Sequence, residues 1–356
     1  MVINESSTAN PAPLGAQSQG EGVPTSSLSK MTLDGPRDFG KGLRDEFCFD
    51  PEWRNMNNGS FGSTPRVIKE KQFALQLRAE AVPDLYTRYE YPAHLDAARA
   101  ALAALLNAPV ETIVLVANAT TAVNVVLHNL VWNPSGRDEI ISFSTVYGGC
   151  GKTIDYITDT KPLVSQRVIE LRYPADTDGA IEQRMNPLPP RGPGKSAFEE
   201  NFQFVGTVDN TSFLMIKDAL AWRDKVLGGE ERIVAYLWQL AKEGGRRAAE
   251  ILGTDIIENE AGTLTNCGLV NVWLPLRAAD GEGDGAVVSA AETAQALAWA
   301  QKWLVDQKKT FIPISVHTGR WYARLSAQVY LDVEDFEWAA HQLKEVSEEI
   351  SKGAFR

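Results

Sequence analysis

One interruption constrains this chain more than any other feature. Residues 111–172 alternate between strand and helix. They comprise the apolar run 111–117 (ETIVLVA), a helix from Thr121, 138–144 (DEIISFS), a helix over 151–159, and 166–172 (QRVIELR). That rhythm predicts a parallel sheet with crossover helices. It then breaks off. Residues 174–197 hold Pro187, Pro189, Pro190 and Pro193 with Gly192 and Gly194, which reads as a loop. Three alternating strands are few for a doubly wound sheet, and the next strands are not in the sequence.

The flanks are easier to place. Residues 1–36 are rich in Ser, Gly, Pro, Asn and Gln and read as an unordered tail, because ordering them would bury little apolar surface. A helix is expected over Arg66–Ala81, with Ser63 or Thr64 as its cap and Pro65 in its first turn. A second is expected from Pro92, with Leu95, Ala98, Leu102 and Leu105 as its buried stripe. Beyond the loop, Ser212 to Leu252 reads as helical, with Val234, Leu237, Ala241, Ala248 and Leu252 inward and Gly253 as the stop. A strand within 263–276, a loop over 278–285, a helix over 287–304, strands from Thr310 and within 320–330, and a helix over 332–350 complete the chain. The last helix should bury Phe336, Ala339, Leu343, Val346 and Ile350. The expected division is a tail (1–36), a large α/β domain (37–219) and a smaller α+β domain (220–356).

Composition excludes several functions. Across 356 residues the net charge is -11, which disfavours nucleic acid and anionic membranes as partners. No apolar run is long enough to span a bilayer. Cys48, Cys150 and Cys267 form no CxxC and suit a reducing compartment. The tail lacks the basic residues and apolar stretch of a targeting signal, so a cytoplasmic location is expected. His94, His128, His317 and His341 lack metal-ligand spacing and read as structural, and no metal is expected. P-loop, GxSxG, HExxH and GxGxxG motifs are absent.

Three places can carry chemistry. At Ala117–Ala122 a strand runs into a helix start, where free N–H groups and the hydroxyls of Thr120 and Thr121 suit a phosphate. The same residues serve equally as plain caps. Tyr147 follows the next strand, where open sheets place ligands. Its ring suits stacking on a planar group, or simple packing. Cys150, two residues after Gly148, has no basic neighbour and reads as an inert thiol. Arg324, within a strand, suits a carboxylate, either a ligand's or a structural partner's.

Six motifs in order carry a family resemblance. They are Asn57-Asn58-Gly59-Ser60-Phe61-Gly62, Arg88-Tyr89-Glu90-Tyr91-Pro92, Asn118 to Asn124, Ser144 to Gly148, Gly206 to Asn210, and Arg324-Leu325-Ser326. Together they resemble the class V aminotransferase-like family of pyridoxal phosphate (PLP) enzymes, in its isopenicillin-N-epimerase-like, cysteine desulfurase-like and hercynylcysteine sulfoxide lyase-like branch. The resemblance implies a homodimer of fold type I, with a three-layer αβα large domain, here truncated, and a smaller C-terminal domain. It implies that Thr120 and Thr121 hold the cofactor phosphate and that Tyr147 stacks on the pyridine ring. Thr207 would reach the phosphate in the partner subunit. Asn58 and Arg88 would line the substrate pocket, and Arg324 would clamp the α-carboxylate. The implied activity is a C–S lyase or epimerase acting on an amino acid or its thioether or sulfoxide, in fungal secondary or sulfur metabolism.

The sequence also departs from that family. Its members carry an aspartate that pairs with the pyridine nitrogen, and a His-Lys-Trp run whose lysine forms the Schiff base. Neither motif is present here, and roughly 100 residues typical of the family are absent between Pro174 and Asn186. Lys195 sits in the proline-rich loop and Lys217 on a helix, and neither has the desolvated pocket such a lysine needs. No catalytic residue is therefore assigned. The alternatives to an enzyme are an inactive homologue that acts as an interaction or regulatory partner, or an incomplete gene model.

Overall fold

The computed structural model describes residues 36–144, 146–161, 164–169, 209–278 and 285–356. Thr207, Lys195, the tail 1–35, the loop 174–197 and the end of the strand expected over 166–172 lie outside them.

Helix α1 (Arg66–Ala81) has the expected bounds, but its cap differs. Pro65 itself takes the cap position with no side-chain hydrogen bond, and its carbonyl accepts from the amides of Ile68 and Lys69. Helix α2 (Tyr91–Leu106) follows a short helical turn (Pro83–Leu85) and a wider one (Tyr86–Glu90). It buries Leu95 and Ala98 as expected, but with Arg99 and Ala103 rather than Leu102 and Leu105. Arg99 draws that face inward by donating to the carbonyls of Val110 (2.8 Å) and Ile113 (2.7 Å).

The same arginine accounts for a correction. Residues 111–117 form no strand; Val110–Thr112 is a tight helical turn, and the next residues run on without a ladder. Arg99 takes the Val110 carbonyl just before the run and the Ile113 carbonyl within it, and the described residues offer no strand beside it. What remains of the alternation is α3 (Ala119–Asn129), β1 (Asp138–Phe143), α4 (Gly148–Thr160) and β2 (Val164–Ile169). Strands β1 and β2 pair in parallel, from Asp138 opposite Val164 to Phe143 opposite Ile169.

The rest is α5 (Ile216–Leu227), α6 (Glu230–Leu252), β3 (Leu269–Ala278), β4 (Ala286–Val288), α7 (Ala290–Lys308), β5 (Ile314–His317), β6 (Arg320–Ser326) and α8 (Val333–Ser351). The second sheet has the order β4-β3-β6-β5, with β3 and β6 antiparallel at its centre. Alternation along these strands turns Val270, Val272, Trp321, Ala323 and Leu325 into the core. All five apolar residues expected on α8 are buried. Helix α6 buries Ala241, Ala248 and Leu252 as expected, but its first turns are rotated from the expected face. Val234 is exposed, whereas Ile233, Leu240 and the pair Gly244-Gly245 are buried. A β-carbon on Gly244 would lie 2.4 Å from the Phe336 ring, and one on Gly245 2.5 Å from Val270. Only glycines permit that approach, so they set the rotation of the helix.

Candidate functional site

The sequence-derived residues fall into two clusters. The first lies just beyond the end of β1. Asn118 caps α3, its Oδ1 accepting from the Thr121 amide at 2.8 Å. Its carbonyl accepts from the Ala122 amide. The Thr120 and Thr121 hydroxyls make no hydrogen bond among the described residues, and neither do the amides of Ala119 and Thr120. Helix α4 starts beside them, because a β-carbon on Gly149 would lie 3.5 Å from the Thr120 methyl and 2.9 Å from the Tyr147 ring. Tyr147 thus lies against the first turn of its own helix, 71% exposed. The helices are tied together further along. The Thr153 hydroxyl donates to Asn124 Oδ1 (3.2 Å), and Asn124 Nδ2 donates to the Thr120 carbonyl (2.9 Å). Two helix N-termini, each with a partial positive charge, therefore meet at one point. Gly149 is the one sequence signal for this arrangement, because a side chain there would press on the Tyr147 ring.

The second cluster is built on β6. The loop 55–63 packs across its end, with the Ser326 amide donating to the Met56 carbonyl (3.3 Å) and the Gly59 amide to the Ser326 hydroxyl (3.2 Å). Gly59 permits this contact, since its β-carbon would lie 2.8 Å from Leu269. Arg324 Nη2 donates to Asn57 Oδ1 (3.0 Å) and Ser60 Oγ (2.5 Å). Its Nε is buried with no partner. Asn58 is fixed by the Tyr330 hydroxyl, which donates to its Oδ1 (3.1 Å) and accepts from Asn55 Nδ2 (2.8 Å). Burial pushes the Tyr330 phenol up to about 12, so it stays a neutral donor. Asn57, Ser60 and Tyr330 were not singled out from the sequence, although Asn57 and Ser60 belong to the quoted motif around Asn58.

Arg88 sits apart, exposed and paired with Asp84 one turn earlier (2.9 Å). Lys217 is exposed on α5. No group of three or more metal-ligating side chains occurs among the described residues. No described helix is long and apolar enough to cross a membrane.

No family model matches the chain. It is 29% identical over 449 residues to the L-cysteine desulfhydrase-like protein lolT1 of Epichloe uncinata, covering 90% of this chain and 98% of that one. To the hercynylcysteine sulfoxide lyase of Schizosaccharomyces pombe it is 21% identical over 406 residues, covering 86% and 97%. Among solved structures, the cystine C–S lyase C-DES with its product cysteine persulfide superposes with a TM-score of 0.58 at 14% identity, over 85% and 98% of the two chains. C-DES with glycine linked to its PLP gives 0.61 at 12% identity. The chain is similar to these curated relatives along nearly all of its length and has the fold of the fold-type I PLP enzymes, as in the class V aminotransferase branch. The 449 aligned positions with the Epichloe relative exceed this chain's 356 residues, so that member of the family carries internal segments this one lacks.

The residues present fit two parts of this family's cofactor chemistry. The paired helix starts, with four free donors from Ala119, Thr120 and Thr121, fit a phosphate. The unpartnered Arg324 Nε fits an anion. No lysine is held in either cluster by the contacts described above.

Proposed function

We propose that this chain binds PLP and a sulfur-containing amino acid, as a C–S lyase-type member of its family. The observation that carries the reading is the meeting of two helix N-termini at Thr120 and Gly149. Thr120 and Thr121 would hold the phosphate, and Tyr147 would lie along the pyridine ring. Thr207 of a second copy would add a hydroxyl in a homodimer. In this reading residues 37–219 form the cofactor-binding part and 220–356 the smaller part. Bound PLP supplies an electron sink for charge released when a bond to the substrate α-carbon breaks. Arg324 would anchor the substrate carboxylate, with Asn57 and Ser60 holding the guanidinium against rotation. Asn58, fixed by Tyr330, and Arg88 would border the substrate.

A second reading has one specific support, the absence of a His-Lys pair anywhere in the sequence. In it the chain holds PLP without turning over substrate and works as a partner of another protein. Adding PLP to the purified chain separates these readings. Binding with a visible absorbance band that borohydride removes, and a labelled lysine found by mass spectrometry, supports the enzyme. Binding without a reducible band supports the second reading. Folded protein that binds no PLP overturns both. The double variant Thr120→Val/Thr121→Val should weaken PLP binding at least tenfold.

A further inference from the structure

Arg324 is not the only side chain with unspent hydrogen-bonding capacity on its face of the sheet. Asn271 on β3 stands directly opposite it in the antiparallel register, as Trp273 stands opposite Tyr322. Residues paired this way have neighbouring β-carbons on one face. The flanking Val270 and Val272 point to the other face, into the core. The backbone carbonyl of Asn271 is used by the Ile257 amide (2.8 Å), but its side chain makes no hydrogen bond among the described residues. Its Oδ1 is nevertheless buried, as is the unpartnered Nε of Arg324. Two adjacent buried polar groups without partners are costly unless a further group satisfies them.

The geometry identifies which group. Arg324 Nη2 is committed to Asn57 and Ser60, so Nε–H is left as the buried donor on that edge. With Oδ1 buried, Nδ2 is the accessible atom of the Asn271 amide and is free of protein partners among the described residues. It then presents a second N–H beside the first. Two parallel donors match the two oxygens of one carboxylate.

We propose that Asn271 is a second donor for the substrate carboxylate and makes the pocket selective for a free acid over its amide. This rests on the reading of Arg324 as the carboxylate clamp. A ligand lacking the carboxylate would leave one of the two donors facing an amide N–H rather than an oxygen. Replacing Asn271 by aspartate would place a negative charge opposite the incoming acid.

The test uses the full chain and two probes that need no lysine. They are phosphopyridoxyl-L-alanine, which carries both phosphate and carboxylate, and the corresponding alaninamide, with binding measured by calorimetry. The wild type should prefer the acid. Asn271→Leu should weaken the acid about tenfold and leave the amide unchanged. Asn271→Asp, which keeps the size of the side chain, should abolish the preference. Thermal melts establish that each variant is folded, and Asn271→Ser replaces any that is not. If Arg324→Lys weakens the acid but the Asn271 variants do not, the proposal fails and the clamp stands. If Asn271 variants weaken acid and amide alike, the residue is structural and the proposal fails. If Arg324→Lys has no effect, or the wild type binds neither probe, the clamp and the proposal fail together.

Discussion

The two sheets of this protein are built to different standards of burial. In the sheet of β3 to β6, Val272, Trp321, Ala323 and Leu325 have no exposed surface, and neither do Phe336 and Leu343 of α8 packed on it. Two long helices, α6 and α8, close over it through a glycine pair. In the parallel pair β1–β2, Ile141 and Val168 are each about half exposed, and α3 buries no residue fully. Val131, just beyond α3, is 97% exposed. Both regions contain apolar strands and amphipathic helices. They differ in what each apolar face meets. A sheet needs a layer on each face and a neighbour at each edge, and the smaller sheet has two strands among the described residues. Arg324 stands on the well-packed region and the paired helix starts at Thr120 and Gly149 on the other, so the two parts of the candidate site should respond differently to perturbation.

The largest effect should come from emptying the deep core. Phe336→Ala should cost about 3–5 kcal/mol in urea unfolding, because its ring is fully buried against Gly244. An equal cost for Val168→Ala would break the contrast between the sheets. Next, Gly244→Ala should destabilise by about 1–3 kcal/mol even though alanine favours helices, because the added methyl meets the Phe336 ring.

Tyr330→Phe should cost about 1–2 kcal/mol by removing the partner of Asn55 and Asn58. Its pH dependence has a definite sign. The phenol is pushed up to about 12 by burial, and Tyr236 likewise, so the folded state favours the neutral form of both. That stabilisation is fully present below pH 10 and is lost as pH rises through about 12. The Tyr330→Phe variant should therefore lose less stability over that range than the wild type, as measured by alkaline unfolding.

The smallest effect should be at Val131. Val131→Ser should change stability by less than about 0.5 kcal/mol while raising solubility, which light scattering would register.

Local signals were most legible where one residue type does one job. The start of helix α1 is legible because Pro65 suits a first helical turn, and the face of α8 because its five apolar residues recur at helical spacing. Asn118 was equally readable as a cap, although the cap and the anion cradle use the same residues. What escaped were features that depend on a distant partner. Residues 111–117 have the composition of a buried strand, but a strand needs a neighbour, and Arg99 claims the Ile113 carbonyl. The rotation of α6 depends on Phe336 and Val270, which lie far away in sequence. Asn57 looked like a loop residue until the fold placed its side chain under Arg324.

The sequence by itself determined the order of elements, the break after the parallel alternation and the family the chain resembles. It did so because propensity, periodicity and motif order are local properties of the chain. Tertiary structure decided which helix face is buried, which apolar run becomes a strand and which polar side chains meet. Those outcomes depend on contacts between residues remote in sequence. The pairing of Asn271 with Arg324 is one such outcome, visible only once β3 and β6 are set in register.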